Sequence, residues 1–136
     1  MPALLALGLA TTACTGGSGT PASSPPATSA QRPASTAHLS IVSPTDGEVI
    51  KGSTVDLKVD LTGATIVPIT STDLKPNEGH IHVSLDDQLV SMTTGTDLQI
   101  PNVAPGAHLM RVEFVATDHG PFDPRVIAVV SFRVKA

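Results

Sequence analysis

From His38 onwards, apolar and polar residues alternate in short runs separated by turn residues, with a period of two rather than the 3.6 of a helix. Thr54–Leu61 sets the pattern. Val55, Leu57, Val59 and Leu61 fall on one side and Asp56, Lys58 and Asp60 on the other, as a half-buried strand requires. His80–Leu85 repeats it, with Ile81, Val83 and Leu85 inward and His80, His82 and Ser84 outward, before the turn at Asp86-Asp87. Further strands are predicted at His38–Ser43, which stops at Pro44, and at Leu89–Thr93, Asp97–Ile100, Ala107–Ala116 and Val126–Val134. Pro and Gly recur too often for any helix to form between them. The connector from Gly63 to Glu78 is long and carries the apolar run Ile66-Val67-Pro68-Ile69, which predicts a short extra strand covering a sheet edge or, as the alternative, a contact patch at the same pole as His80 and His119. The expected core is Ile41, Val55, Leu57, Val59, Ile81, Val83, Leu85, Val112, Phe114, Ile127 or its neighbour, and Phe132.

About seven strands in about one hundred residues predict an all-β fold, an immunoglobulin-like antiparallel β-sandwich, although paired cysteines, a Trp and a tyrosine corner are all missing. In that topology His80–Leu85 and Ala107–Thr117 are antiparallel neighbours, so His80, His82, Asp118 and His119 should meet at one pole, the three imidazoles within about 10 Å. A His-x-His pair on one strand face, joined by a third imidazole or a carboxylate, suits copper or zinc. Those four residues are therefore the candidate metal ligands. The plainer alternative makes His80 and His82 solvent-face residues and His119 a hairpin cap. His108 should lie at the opposite pole and, by parity with Met110, Val112 and Phe114, face the core, with Met92 as a neighbour to be tested.

Composition narrows the function classes. Twelve acidic against eight basic residues give a net charge of −4, and only 2% of residues are aromatic, so neither a basic field nor a stacking platform exists for nucleic acid. No nucleophile elbow, paired carboxylates or phosphate loop stands out, and no catalytic residue is predicted. The chain is read as a non-enzyme.

The first 37 residues have a different texture. Met1–Ala13 holds an apolar run closing in small residues before Cys14, in the order of a signal-peptide core and cleavage region. Thr11-Thr12-Ala13-Cys14 resembles a bacterial lipobox, with Thr11 where Leu is usual and no basic residue ahead of the run. The resemblance implies lipidation at Cys14. Thr15–Ala37 consists of Gly, Pro, Ser, Thr and Ala apart from Gln31 and Arg32, which predicts a disordered tether. The expected organisation is thus a signal and lipobox-like segment over 1–14, a tether over 15–37 and the sandwich over 38–136.

Ile41-Val42-Ser43-Pro44-Thr45-Asp46-Gly47-Glu48-Val49-Ile50-Lys51-Gly52 resembles the opening of bacterial Ig-like modules of secreted proteins. Gly79-His80-Ile81-His82 with Asp86, Pro105-Gly106-Ala107-His108-Leu109, and Asp118-His119-Gly120-Pro121 with Pro124 are similar to a small His-containing secreted family of unassigned function. These resemblances imply fold and compartment more than chemistry. The expectation is a non-enzymatic, extracytoplasmic Ig-like lipoprotein, anchored to the bacterial cell membrane through Cys14. Its loop pole would contact an envelope protein or a cell-wall component. The alternative is a copper- or zinc-binding protein that uses the histidine cluster.

Overall fold

The computed structural model describes residues 31–136. The expectations placed on residues 1–30, lipidation at Cys14 among them, lie outside the described residues. Nine strands form two layers: β1 (His38–Ser43), β2 (Glu48–Lys51), β3 (Val55–Thr62), β4 (Thr65–Ile66), β5 (Glu78–Leu85), β6 (Gln88–Thr93), β7 (Asp97–Ile100), β8 (Gly106–Ala116) and β9 (Pro121–Lys135). One sheet has the order β1-β3-β7; the other runs β2-β9-β8-β5-β4, with β6 also paired to β5. This is an all-β immunoglobulin-like sandwich without a helix among the described residues.

The period of two explains which faces meet. Val55, Leu57 and Val59 of β3 are buried while the residues between them are exposed, and they pack against Ile81, Val83, Val112, Phe114, Val130 and Phe132 from the larger sheet. Val126, not Ile127, is the neighbour that packs on the core, and Ile41 and Leu85 sit half-buried at its margin. Met110, Phe122 and Val134 complete it, beyond the expected set.

Three features depart from the expected strands. β2, which the alternation does not predict, lies between Gly47 and Gly52, both in the left-handed region, and pairs in parallel with the end of β9. β4 is the short extra strand expected in the long connector, and it too pairs in parallel, on the edge of β5. The sandwich is therefore not purely antiparallel. β9 begins at Pro121 rather than Val126, because a register shift against β8 between Phe114 and Val115 accommodates a segment with two prolines.

The last residues of the expected tether lie against the sandwich. Thr36 donates its amide to the Pro76 carbonyl (3.0 Å) and its hydroxyl to that of Gly63 (2.6 Å). Asp123 donates its amide to the Pro33 carbonyl (3.0 Å), and Ala37 is buried in the core. Small polar residues cannot make a core of their own, but they can satisfy backbone groups on an existing one. Among the described residues these contacts begin at Arg32, ahead of the expected boundary at His38.

Candidate functional site

β5 and β8 are antiparallel neighbours, with His80 opposite Val115 and His82 opposite Glu113. This places the start of β5 beside the turn Thr117–Gly120 that follows β8. His119 in that turn has φ +63°, a left-handed conformation uncommon outside glycine, and its amide donates to the Ala116 carbonyl (2.9 Å). Its ring then turns back over the outer face of the sheet. The three imidazoles do meet: His119 stacks on His80 at 4.5 Å between ring centroids and lies 5.5 Å from His82. His82 Nε2 is 3.2 Å from His119 Nδ1, and His119 Nε2 is 3.4 Å from the Thr70 hydroxyl. Thr70, His119 and His82 thus form one hydrogen-bonded chain, in which each ring nitrogen must alternate between donor and acceptor.

Outward does not mean exposed at this pole. His80 is only 5% exposed, and its Nδ1 is buried without a hydrogen-bond partner among the described residues. The covering comes from the His119 ring and from the loop after β4, which is tied down where Ser71 donates its amide to the Thr117 carbonyl (3.1 Å). Burial, then the neighbouring charges of His119 and His80 against that of Glu113, holds the His82 pKa below the ordinary imidazole value. A cavity of about 160 Å³ opens here, lined by Pro68, Thr70, His80, Met92, Thr94 and His119. Met92 stands opposite His82 on β6 and is 61% exposed; Ile69 in the adjoining loop is 55% exposed.

Asp118 is not a member of this cluster. Both its oxygens are held by the Arg32 guanidinium (2.5 and 2.8 Å), and one also accepts the Gly120 amide (3.0 Å). Hydrogen bonding to Arg32 is the main cause that pulls its pKa down to about 2. Among the described residues no group of three or more His, Cys, Asp or Glu side chains is arranged to hold a metal ion. The reason is geometric. An imidazole presents its lone pair in the ring plane, and His80 and His119 are stacked within 17° of parallel, so their nitrogens do not converge on one point.

Met92 belongs to this pole and not to that of His108. His108 is half-buried, not in the core, and its ring tilts against Phe132. Its Nδ1 faces Asp86 Oδ2 (2.7 Å) and its Nε2 the Ala104 carbonyl (2.7 Å). Asp86 and Asp87, both at positive φ, form the two-residue hairpin turn between β5 and β6, and Asp86 also accepts the Leu109 amide (2.9 Å). Both partners of His108 can only accept, so only the imidazolium satisfies both. Burial pulls its pKa down, but Asp86 and Ala104 outweigh this and the net shift is upward.

The two histidines should therefore titrate on opposite sides of about 6.5. The stabilisation from His108 is complete below the unfolded value and is lost as pH rises through the higher folded value. That associated with neutral His82 is present above the unfolded value and is lost as pH falls through the lower folded one. NMR titration of the ring protons should give a midpoint above about 6.5 for His108, reduced in Asp86→Ala, and one below it for His82. A His108 midpoint at or below that of His82 would contradict the assignment.

A larger depression, about 500 Å³, lies across β3 and β7. Its polar groups already bond one another: Gln99 donates to Asp56 (2.9 Å), Ser43 to the Asp56 carbonyl (3.0 Å), and Lys58 pairs with Asp97 (3.6 Å). The histidine pole, with its unpartnered nitrogen and exposed apolar rim, is the better candidate.

No family model matches the chain, and no curated protein does. In structure it is similar to the fibronectin(III)-like modules of CbhA from Clostridium thermocellum, at 22% identity and a TM-score of 0.53, over 71% of this chain and 94% of that one. It is also similar to the PKD domain of human KIAA0319, at 14% identity and a TM-score of 0.44, over 82% of this chain and 92% of that one. The first likeness establishes the fold: the chain carries a fibronectin(III)-like, Ig-like sandwich. No helix among the described residues is long and apolar enough to cross a membrane.

Sequence reasoning missed Arg32, Thr70 and Met92 as members of this pole. Arg32 alone left a signal, as the only charged residue in the first 37 positions.

Proposed function

We propose that the chain is a non-enzymatic, extracytoplasmic binding module, anchored to the membrane through lipidated Cys14, whose histidine pole contacts an envelope protein or a cell-wall component. The observation that carries the reading is the cavity beside His80, His119 and Met92. A buried imidazole nitrogen without a partner lies next to exposed apolar side chains, and leaving such a group unsatisfied costs about 1–3 kcal/mol that a ligand contact can recover. An anchored domain would turn this pole towards the membrane, because the N-terminal segment joins the sandwich here through Arg32 and Asp118. The residues from Thr15 to Gln31 would span roughly 20–25 Å if they behave as a flexible coil. Copper or zinc, the alternative ligand, would require His119 to leave its stack.

The anchor is tested by fractionation. Wild type should sediment with the membrane, and Cys14→Ala should appear in the soluble extracytoplasmic fraction. Identical fractionation of the two would contradict the anchor.

A further inference from the structure

The turn that carries His119 is built from outside as well as from within. The Arg32 guanidinium grips Asp118 with two nitrogens and donates its third, Nε, to the Pro121 carbonyl (2.7 Å). Asp118 in turn accepts the Gly120 amide, so one carboxylate joins the incoming segment to the tightest part of the turn. Gly120 is fitted to the same guanidinium: a Cβ there would come within 2.6–3.0 Å of its atoms. Behind Arg32 the segment is tied by Pro33 to Asp123 and by Thr36 to Pro76 and Gly63. Between the ties at Asp118 and Pro121 stands His119, whose left-handed backbone needs a surrounding framework to hold it.

We propose that Arg32 is a positioning residue of the histidine pole: the last residues of the N-terminal segment form a clip that holds the Asp118–Pro121 turn and thereby sets the His119 ring against His80 and His82. The pole is then a composite of the sandwich and the segment that leads into it. A planar, bidentate grip fixes orientation as well as distance, which a point charge does not. By thermodynamic reciprocity, a ligand that favours the stacked arrangement also favours the docked segment, and release of the segment weakens ligand binding by the same factor. Only this consequence rests on the proposed role of the pole; the clip itself is testable without any ligand.

The test is NMR on the full chain with two variants that remove the clip from opposite sides. Arg32→Ala deletes the guanidinium, while Gly120→Ala puts a methyl group where it lies and displaces only the flexible end of a side chain. Stacked rings shield one another's carbon-bound protons. In both variants the ring-proton signals of His80, His82 and His119 should therefore move downfield, with those of His108 unmoved. Arg32→Lys, which keeps the charge but loses the fork, should not restore the wild-type positions. Should Arg32→Ala fail to fold, Gly120→Ala gives the same readout. The inference is overturned if the pole signals stay in place when the guanidinium is removed or displaced, or if His108 moves as much as they do. Ligand binding plays no part in this readout, so a failed ligand assay and a failed clip remain distinguishable.

Discussion

Replacing Phe114 by alanine should destabilise the sandwich by about 3–5 kcal/mol. The ring is fully buried near the end of β8 and stacks on Phe122 at 5.5 Å between centroids, nearly parallel. It also lies against Gly79, where a Cβ would stand 2.9 Å from its Cζ and 2.0 Å from the Val115 carbonyl oxygen. The absence of a side chain at Gly79 is thus what lets β5 and β8 close around the ring directly beside His80. Alanine would leave a cavity lined by backbone and by strands already paired on both sides, so little can collapse into it. Against a total stability of about 5–15 kcal/mol, the loss is about a fifth or more. Equilibrium urea denaturation measures it; a loss under about 1 kcal/mol would contradict the central place given to this ring.

The strands that could be read in the sequence are those whose alternation is long. β3 and β5 run for eight residues each, with inward aliphatics at every second position, and both lie close to where the pattern puts them. β2 is four residues long and exists only because β9, far off in sequence, offers an edge, so local pattern could not reveal it; β4, only two residues long, was legible through the apolar run in its long connector, but its parallel pairing was not. The adjacency of β5 and β8 was legible from strand count and fold class, and with it the meeting of His80, His82 and His119. What surrounds these rings was not. Alternation sends His80 outward, but a chain turn and a loop decide whether outward means solvent. Asp118 illustrates the same limit: its partner, Arg32, lies 86 positions earlier in a stretch whose composition suggests no structure at all.

The pairing of polar groups separates the two poles. At the Asp86–His108 end both ring nitrogens of His108 and the Leu109 amide meet acceptors, and the arrangement closes a hairpin. The opposite end leaves His80 Nδ1 unpaired within a wall that also includes Met92. Buried polar groups are almost always satisfied, so an exception beside an open cavity is what the proposed binding role of this pole rests on. The outer face of β8 and β9 also exposes Leu109 and Val129, but those aliphatics adjoin no cavity lined by unpartnered polar atoms.

The most direct measurement is photocrosslinking in intact cells, with a photoreactive residue placed singly at Met92, at Ile69 and, as a control, at Val49. Val49 is half-exposed like Ile69, but it lies on β2, opposite Arg133 and near the His108 end. Adducts should form from Met92 and Ile69, should be lost when His119→Ala is added, and should not form from Val49. An adduct from Val49 as abundant as those from Met92 and Ile69, or none from either pole position, would contradict the assignment of the histidine pole as the binding surface.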